Sequence, residues 1–287
     1  MRRPGLLGYC VPATSSERKD RRMQPIAGIR RRLEPGEASF GGWMQIGHPA
    51  VAQILAASGL DWVAVDLEHG AVDICQCLAL ARILEGAGVV PLARLPHNDR
   101  IWIRRALDVG FRGLIVPLVN DAAEAAFAAR IAKYPPEGER GIGFAPANGY
   151  GDRISPEDLA EANRSVALIV QIETAAAVDN VDAILDVPDV DGIFIGPYDL
   201  SGSYGVLGEF SHPAVQQARR RCLDACRRTG KLAGVHVVEP DPAEVRARLE
   251  EGFNLIALSL DVTLLQRGAR ALSSAAREAA GAGQQGQ

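Results

Sequence analysis

The chain has 287 residues, 47% hydrophobic and 23% charged, the balance of an ordinary globular protein with enough apolar residues for a sizeable core. A net charge of −4 excludes a broad cationic surface, so no nucleic-acid partner is expected. No apolar run approaches the ~20 residues of a membrane span, and nothing at the start resembles a signal peptide, so a cytoplasmic location with no membrane partner is expected.

Residues 1–32 are polar, rich in arginine and without hydrophobic period, and read as a disordered or non-native extension. Two other readings stay open. One is a targeting peptide, against which Glu17 and Asp20 count; the other is an over-long gene start with Met23 as initiator. From Ser39 onward, short apolar runs alternate with segments of helical period, the mark of a parallel sheet with crossover helices. Eight runs qualify as strands: 40–46, 62–66, 89–94, 113–117, 167–173, 192–196, 231–237 and 254–258. Helix starts are marked by Asp121 with Glu124, Ser155-Pro156 with Asp158, and Asp241-Pro242 with Glu244; Gly252 ends the last of these helices. Between the fourth and fifth strands lies a Gly- and Pro-rich excursion, residues 134–151, expected to be ordered and functional.

Eight such units predict a closed (β/α)8 TIM barrel over residues 33–273, with an open doubly wound sheet as runner-up. Gly141-Ile142-Gly143 follows a loop and lacks the third glycine of a dinucleotide motif. Residues 274–287, rich in Ala, Gly and Gln, are expected to fray. Cys10, Cys75, Cys77, Cys222 and Cys226 are an odd number without framework spacing, and read as small buried hydrophobes rather than metal ligands.

The chemistry is expected at the carboxyl ends of the strands. The runs ending at Glu173 and leading to Asp199 each finish in a carboxylate, and the two can share one divalent cation. Hard oxygen donors with room for water and a bidentate ligand suit Mg²⁺ or Mn²⁺, with Co²⁺ a third candidate. The second strand ends Asp66-Leu67-Glu68-His69, and His69 is the best candidate base, set against a capping role. Arg94 closes the third strand on the face of Leu92; its fork suits a carboxylate or enolate oxygen, set against a structural pair with Asp66 or Glu68. Gln171 shares a face with Glu173, and Gly196-Pro197 allows close backbone approach, with the amides near Tyr198 and Asp199 able to hold a carboxylate. Asp108 reads as a helix C-terminal residue, and His48, His97, His212 and His236 as turn or packing residues. Lys133 and Lys231 are the only lysines in the barrel region, and neither is placed for a Schiff base.

Taken in order, Asp66-Leu67-Glu68-His69, Arg94-Leu95-Pro96, Leu107-Asp108-Val109-Gly110, Tyr134-Pro135-Pro136 with Arg140-Gly141, Gln171-Ile172-Glu173 and Gly196-Pro197-Tyr198-Asp199-Leu200-Ser201 resemble the HpcH/HpaI family of metal-dependent pyruvate aldolases. The resemblance implies a barrel of the phosphoenolpyruvate/pyruvate type, in a homo-oligomer (a hexamer, as a trimer of dimers) with a swapped C-terminal helix. It implies reversible cleavage of a 4-hydroxy-2-oxo acid to pyruvate and an aldehyde through a metal-bound enolate. It makes Glu173 and Asp199 the metal ligands, Arg94 the enolate partner, His69 the acid–base group and Asp108 the residue that orients it. Gln171, Gly196, Pro197, Tyr198 and Asp199 then line the pyruvate site. The segment from Phe144 to Tyr150 departs from the dioate aldolases and lies nearer the sugar-acid branch. Alternatives are oxaloacetate decarboxylation through the same enolate, or a barrel that binds a 2-oxo acid without catalysis.

Overall fold

The computed structural model describes residues 38–282. Eight parallel strands close into a barrel in sequence order. They are β1 Ser39–Met44, β2 Trp62–Asp66, β3 Val90–Arg94, β4 Gly113–Val116, β5 Ala167–Ile172, β6 Gly192–Ile195, β7 Leu232–Val237 and β8 Leu255–Leu260. The helices are α1 Pro49–Ala57, α2 Ile74–Gly86, α3 Arg100–Val109, α4 Ala122–Ala132, α5 Pro156–Ser165, α6 Ala175–Asp179, α7 Val181–Leu185, α8 Pro197–Ser203, α9 Pro213–Thr229, α10 Pro242–Glu251 and α11 Asp261–Ala282. A 3₁₀ turn, Pro146–Gly151, sits in the long excursion before α5.

Strand alternation sorts side chains into two cores. Val63, Val65, Ala93, Leu114 and Leu168 face outward to the helices. Trp43, Trp62, Leu92, Ile169, Phe194 and Leu255 fill the interior. Bulk is matched by absence: a Cβ on Gly41 would lie 2.0 Å from the Trp62 ring, and one on Gly234 would lie 2.4 Å from the Phe194 ring. The interior is therefore a packed floor rather than a pore.

The expected helix starts are present. Asp121 accepts from the Glu124 amide, Ser155 forms a capping box with Asp158, and Asp241 accepts from the amides of Ala243 and Glu244. His48 and His212 cap α1 and α9 through Nδ1, as expected for entry turns.

Two expectations change, for the tail and for one cysteine. Helix α11 continues past residue 273 to Ala282, because Ala275, Ala276, Ala279 and Ala280 are strong helix formers. The excursion between α4 and α5 packs against the outer helices, where Arg82 Nη2 donates to Pro146 O and Arg100 Nη2 to Glu139 Oε2, both at 2.8 Å. Within one chain it does not border the strand-end carboxylates. Cys77, Cys222 and Cys226 are buried, but Cys75 is exposed. The expectations for residues 1–32 and for Cys10 lie outside the described residues.

Candidate active site

Above the apolar floor, the next inward position on most strands is polar. It is Gln45 on the β1 side, Asp66 on β2, Arg94 on β3, Gln171 on β5 and His236 on β7. This layer is stitched together. Arg94 donates from Nε to Asp66 Oδ1 at 2.9 Å and from Nη2 to Asp66 Oδ2 at 2.6 Å. Gln45 Nε2 donates to Asp66 Oδ2 at 2.8 Å, and the amides of Glu68 and His69 donate to Asp66 Oδ1 at 3.1 Å. The Arg94 guanidinium lies over the Trp43 ring at 4.4 Å. Burial pushes the Asp66 carboxyl up, but its hydrogen bonds and the charge of Arg94 outweigh that and hold it below the usual carboxylate range. Asp66 fixes the arginine, so the structural pairing expected for Arg94 is present.

Glu68 extends from the end of β2 to Arg94 Nε at 3.4 Å and to His69 Nε2 at 3.7 Å. Its carboxyl is pushed up to about 7, chiefly by burial; the charge of Arg94 pulls it down, and Asp66 and Asp199 add smaller upward pushes. His69 itself is largely exposed at the mouth.

Across the barrel, Glu173 follows β5 and is buried. Its Oε1 accepts from Gln171 Nε2 at 2.6 Å, and its Oε2 from the Leu118 amide at 2.9 Å. Leu118 adopts a left-handed φ of 53°, a conformation rare for leucine, and so aims its N–H at the carboxylate. Burial pushes the Glu173 carboxyl up to about 7, with Glu68 and Asp199 adding to it against the Leu118 amide and Arg94. Gly196 is required here: a Cβ would stand 2.9 Å from Glu173 Cγ and Oε1. Pro197 opens α8 and Asp199 lies in its first turn, where a carboxylate is favoured. Tyr198 is exposed beside it and meets the Phe210 ring edge-on at 4.9 Å.

Glu68 and Glu173 are thus poorly solvated carboxylates that repel one another, and both feel the charge of Asp199, which is itself exposed at the mouth. That donor set fits a hard divalent cation, which removes the repulsion. Among the described residues no three His, Cys, Asp or Glu side chains gather as a ready-made cage. Two protein carboxylates with the remaining positions open are what a Mg²⁺-type ion and a bidentate ligand need.

The other expected partner lies elsewhere. Asp108 is near the C-terminal end of α3, and Arg112, soon after it, donates from its amide to Pro91 O at the amino end of β3. Asp108 is therefore at the opposite end of the barrel from His69, and it accepts from Arg140 Nη2 at 2.8 Å. Both barrel-region lysines are also remote from the site. Lys133 Nζ binds Asn163 O and pairs with Asp189, and Lys231 Nζ donates to the carbonyls of Leu185 and Val187.

The chain matches the HpcH/HpaI aldolase/citrate lyase family over residues 39–267. It is 36% identical over 242 residues to a 5-keto-4-deoxy-D-glucarate aldolase from Salmonella arizonae, covering 84% of this chain and 93% of that one. A family protein from Burkholderia cenocepacia J2315 superposes with a TM-score of 0.81 at 35% identity, covering 87% of this chain and 98% of that one. An HpcH/HpaI aldolase from Desulfitobacterium hafniense DCB-2 gives 0.82 at 32% identity, covering 87% and 96%. With its closed parallel barrel, its strand-end carboxylates and anchored arginine, and a family match over residues 39–267, the chain belongs to the HpcH/HpaI aldolase/citrate lyase family and is a carbon–carbon lyase of the aldolase kind.

Proposed function

We propose that this chain reversibly cleaves a 4-hydroxy-2-oxo acid of the 2-keto-3-deoxy sugar-acid type into pyruvate and an aldehyde. The observation that carries this reading is the gathering of Glu68, Glu173 and Asp199 near an arginine that Asp66 anchors. The 5-keto-4-deoxy-D-glucarate aldolases among its relatives support the sugar-acid substrate class.

Glu173 and Asp199 would hold a Mg²⁺ or Mn²⁺ ion, which when bound supplies Lewis-acid polarisation of the 2-oxo group. Arg94 places a fixed positive charge where negative charge develops on the ketone oxygen; Asp66 and Trp43 keep it from reorienting. Amides between Gly196 and Asp199 receive the substrate carboxylate, and Gln171 lines the same wall. His69 carries the proton of the C4 hydroxyl, with Glu68 beside it. Asp108 can orient His69 only if a second copy of the chain brings it there, so the reading includes a homo-oligomer.

The test is pyruvate release from 5-keto-4-deoxy-D-glucarate, followed with and without Mg²⁺ or chelator, beside oxaloacetate as a rival substrate. Release that persists unchanged in chelator, or faster turnover of oxaloacetate, defeats the proposal.

A further inference from the structure

Between the end of β4 at Val116 and the start of α4 at Ala122, the chain turns through Leu118. Its φ of 53° puts a leucine where glycine or asparagine is at home. Nothing that the side chain gains explains this, because it is 48% exposed and its burial cannot offset the strain. What the conformation achieves is direction. The Leu118 N–H meets Glu173 Oε2 at 2.9 Å, while Gln171 Nε2 holds the other oxygen at 2.6 Å.

Such strain persists only where the surroundings over-determine it, and Asn120 is placed to do so. Its Nδ2 donates to Leu118 O at 3.0 Å. Its Oδ1 accepts from Thr174 Oγ1 at 2.5 Å. Its backbone N–H donates to Glu124 Oε2 at 2.7 Å, and its carbonyl accepts from Asn180 Nδ2 at 2.9 Å. Every polar group of this asparagine is therefore engaged. The partners come from α4, from the N-cap of α6 and from the residue that joins α6 to α7. An asparagine that only closed a turn would bond its own backbone neighbours; this one also crosses to the end of β5. Thr174 directly follows Glu173. One side chain thus grips both the residue that donates to the carboxylate and the neighbour of the residue that carries it.

We infer that Asn120 is a positioning residue for the Glu173 carboxylate: it locks Leu118 in the left-handed conformation, and the Leu118 amide then fixes the carboxylate for a divalent cation. The inference rests on the proposed reading of Glu173 as a ligand of Mg²⁺ or Mn²⁺. Removing a group that hydrogen-bonds a metal ligand commonly lowers metal affinity by about 10- to 100-fold. The lock also carries a coupling of its own. It is needed because residue 118 is a leucine; a glycine adopts the same φ without strain and needs less holding.

The experiment measures the Kd for Mn²⁺ from the electron paramagnetic resonance signal of the free ion. Asn120→Ala and the milder Asn120→Ser are made in the wild-type chain and again in Leu118→Gly, whose own Kd is the reference for that background. Thermal unfolding in chelator shows which variants fold. Asn120→Ala is expected to raise the Kd about tenfold in the wild-type chain. In the Leu118→Gly background the same change should cost no more than about threefold, a non-additivity that a general loss of stability does not produce. A Kd within about threefold of wild type in a folded Asn120→Ala or Asn120→Ser protein overturns the inference and leaves the aldolase reading intact. An equal loss in both backgrounds also overturns it, since Asn120 would then act without the strained residue. Wild-type protein that binds no Mn²⁺ overturns both.

Discussion

Arg94 has little freedom. Two hydrogen bonds to Asp66 and the Trp43 face fix the guanidinium plane, so its charge is preorganised rather than recruited during reaction. A lysine keeps the charge and loses both the fork and the stack. Arg94→Lys is expected to lower kcat about 100-fold, read as pyruvate release at saturating substrate. A loss of only a few-fold would mean that charge alone suffices and the anchoring by Asp66 is structural. The acidic side of the site makes a different prediction. The carboxyls of Glu68 and Glu173 move from the ordinary 4.5 to about 7 in the folded chain. The folded state then holds more protons than the unfolded chain between those values, so stability falls as pH rises through that window. Metal-free protein should lose Tm between about pH 5 and about pH 7, and added Mg²⁺ should restore it. Glu173→Gln should flatten this slope and abolish the rescue by Mg²⁺. Thermal scans in chelator across that range decide the matter; a slope unchanged in the variant would place the charge crowding elsewhere.

At the scale of elements, the joint between β8 and β1 governs the site from behind. Asp261 opens α11 and accepts the amides of Gln45 and Ile46, both at 2.9 Å; Gln45 in turn grips Asp66. Asp261→Ala leaves two amides of the β1–α1 loop without their partner, at a cost of about 2–3 kcal/mol. The variant should show a lower Tm and a weaker kcat together, because the loop that steadies Asp66 is released. A fall in Tm with kcat intact would separate the joint from the site. Asp261 closes an apolar run with a carboxylate, as Asp66 does, so the signal lay in the sequence. The strands themselves were legible because each is buried on both faces and reads as an unbroken apolar run. Their ends were less so, since strand pairing rather than side-chain type decides where a ladder stops. Asp66, Arg94, Gln171 and Glu173 could be placed by carrying period-two alternation to the strand end. The surroundings of the His236 ring could not, because they come from β1 and β3.

At the scale of the whole molecule, two surfaces expose apolar side chains. Helix α11 leaves Leu264, Leu265 and Leu272 exposed, while Pro240, Pro242, Val245, Leu249 and Leu258 line an apolar groove beside α10, a helix with no buried residue of its own. On the excursion that carries Arg140, the partner of Asp108, Ile142, Phe144 and Tyr150 are exposed. A second copy that buried these groups against the mouth of a neighbouring barrel would bring Asp108 toward a His69 that it cannot reach within its own chain. This arrangement has a genetic signature. His69→Ala and Asp108→Ala should each be nearly inactive when purified alone. Co-expressed in equal amounts, they should recover roughly a quarter of wild-type activity, because in a symmetric assembly a site with an intact His69 meets an intact Asp108 in about half of its contacts. Size-exclusion chromatography with light scattering establishes that both variants assemble like the wild type. If the mixed oligomers stay as inactive as their parents, Asp108 serves only its pairing with Arg140, and the orienting partner of His69 must be sought among the groups already beside it, of which Glu68 is the nearest carboxylate at 3.7 Å.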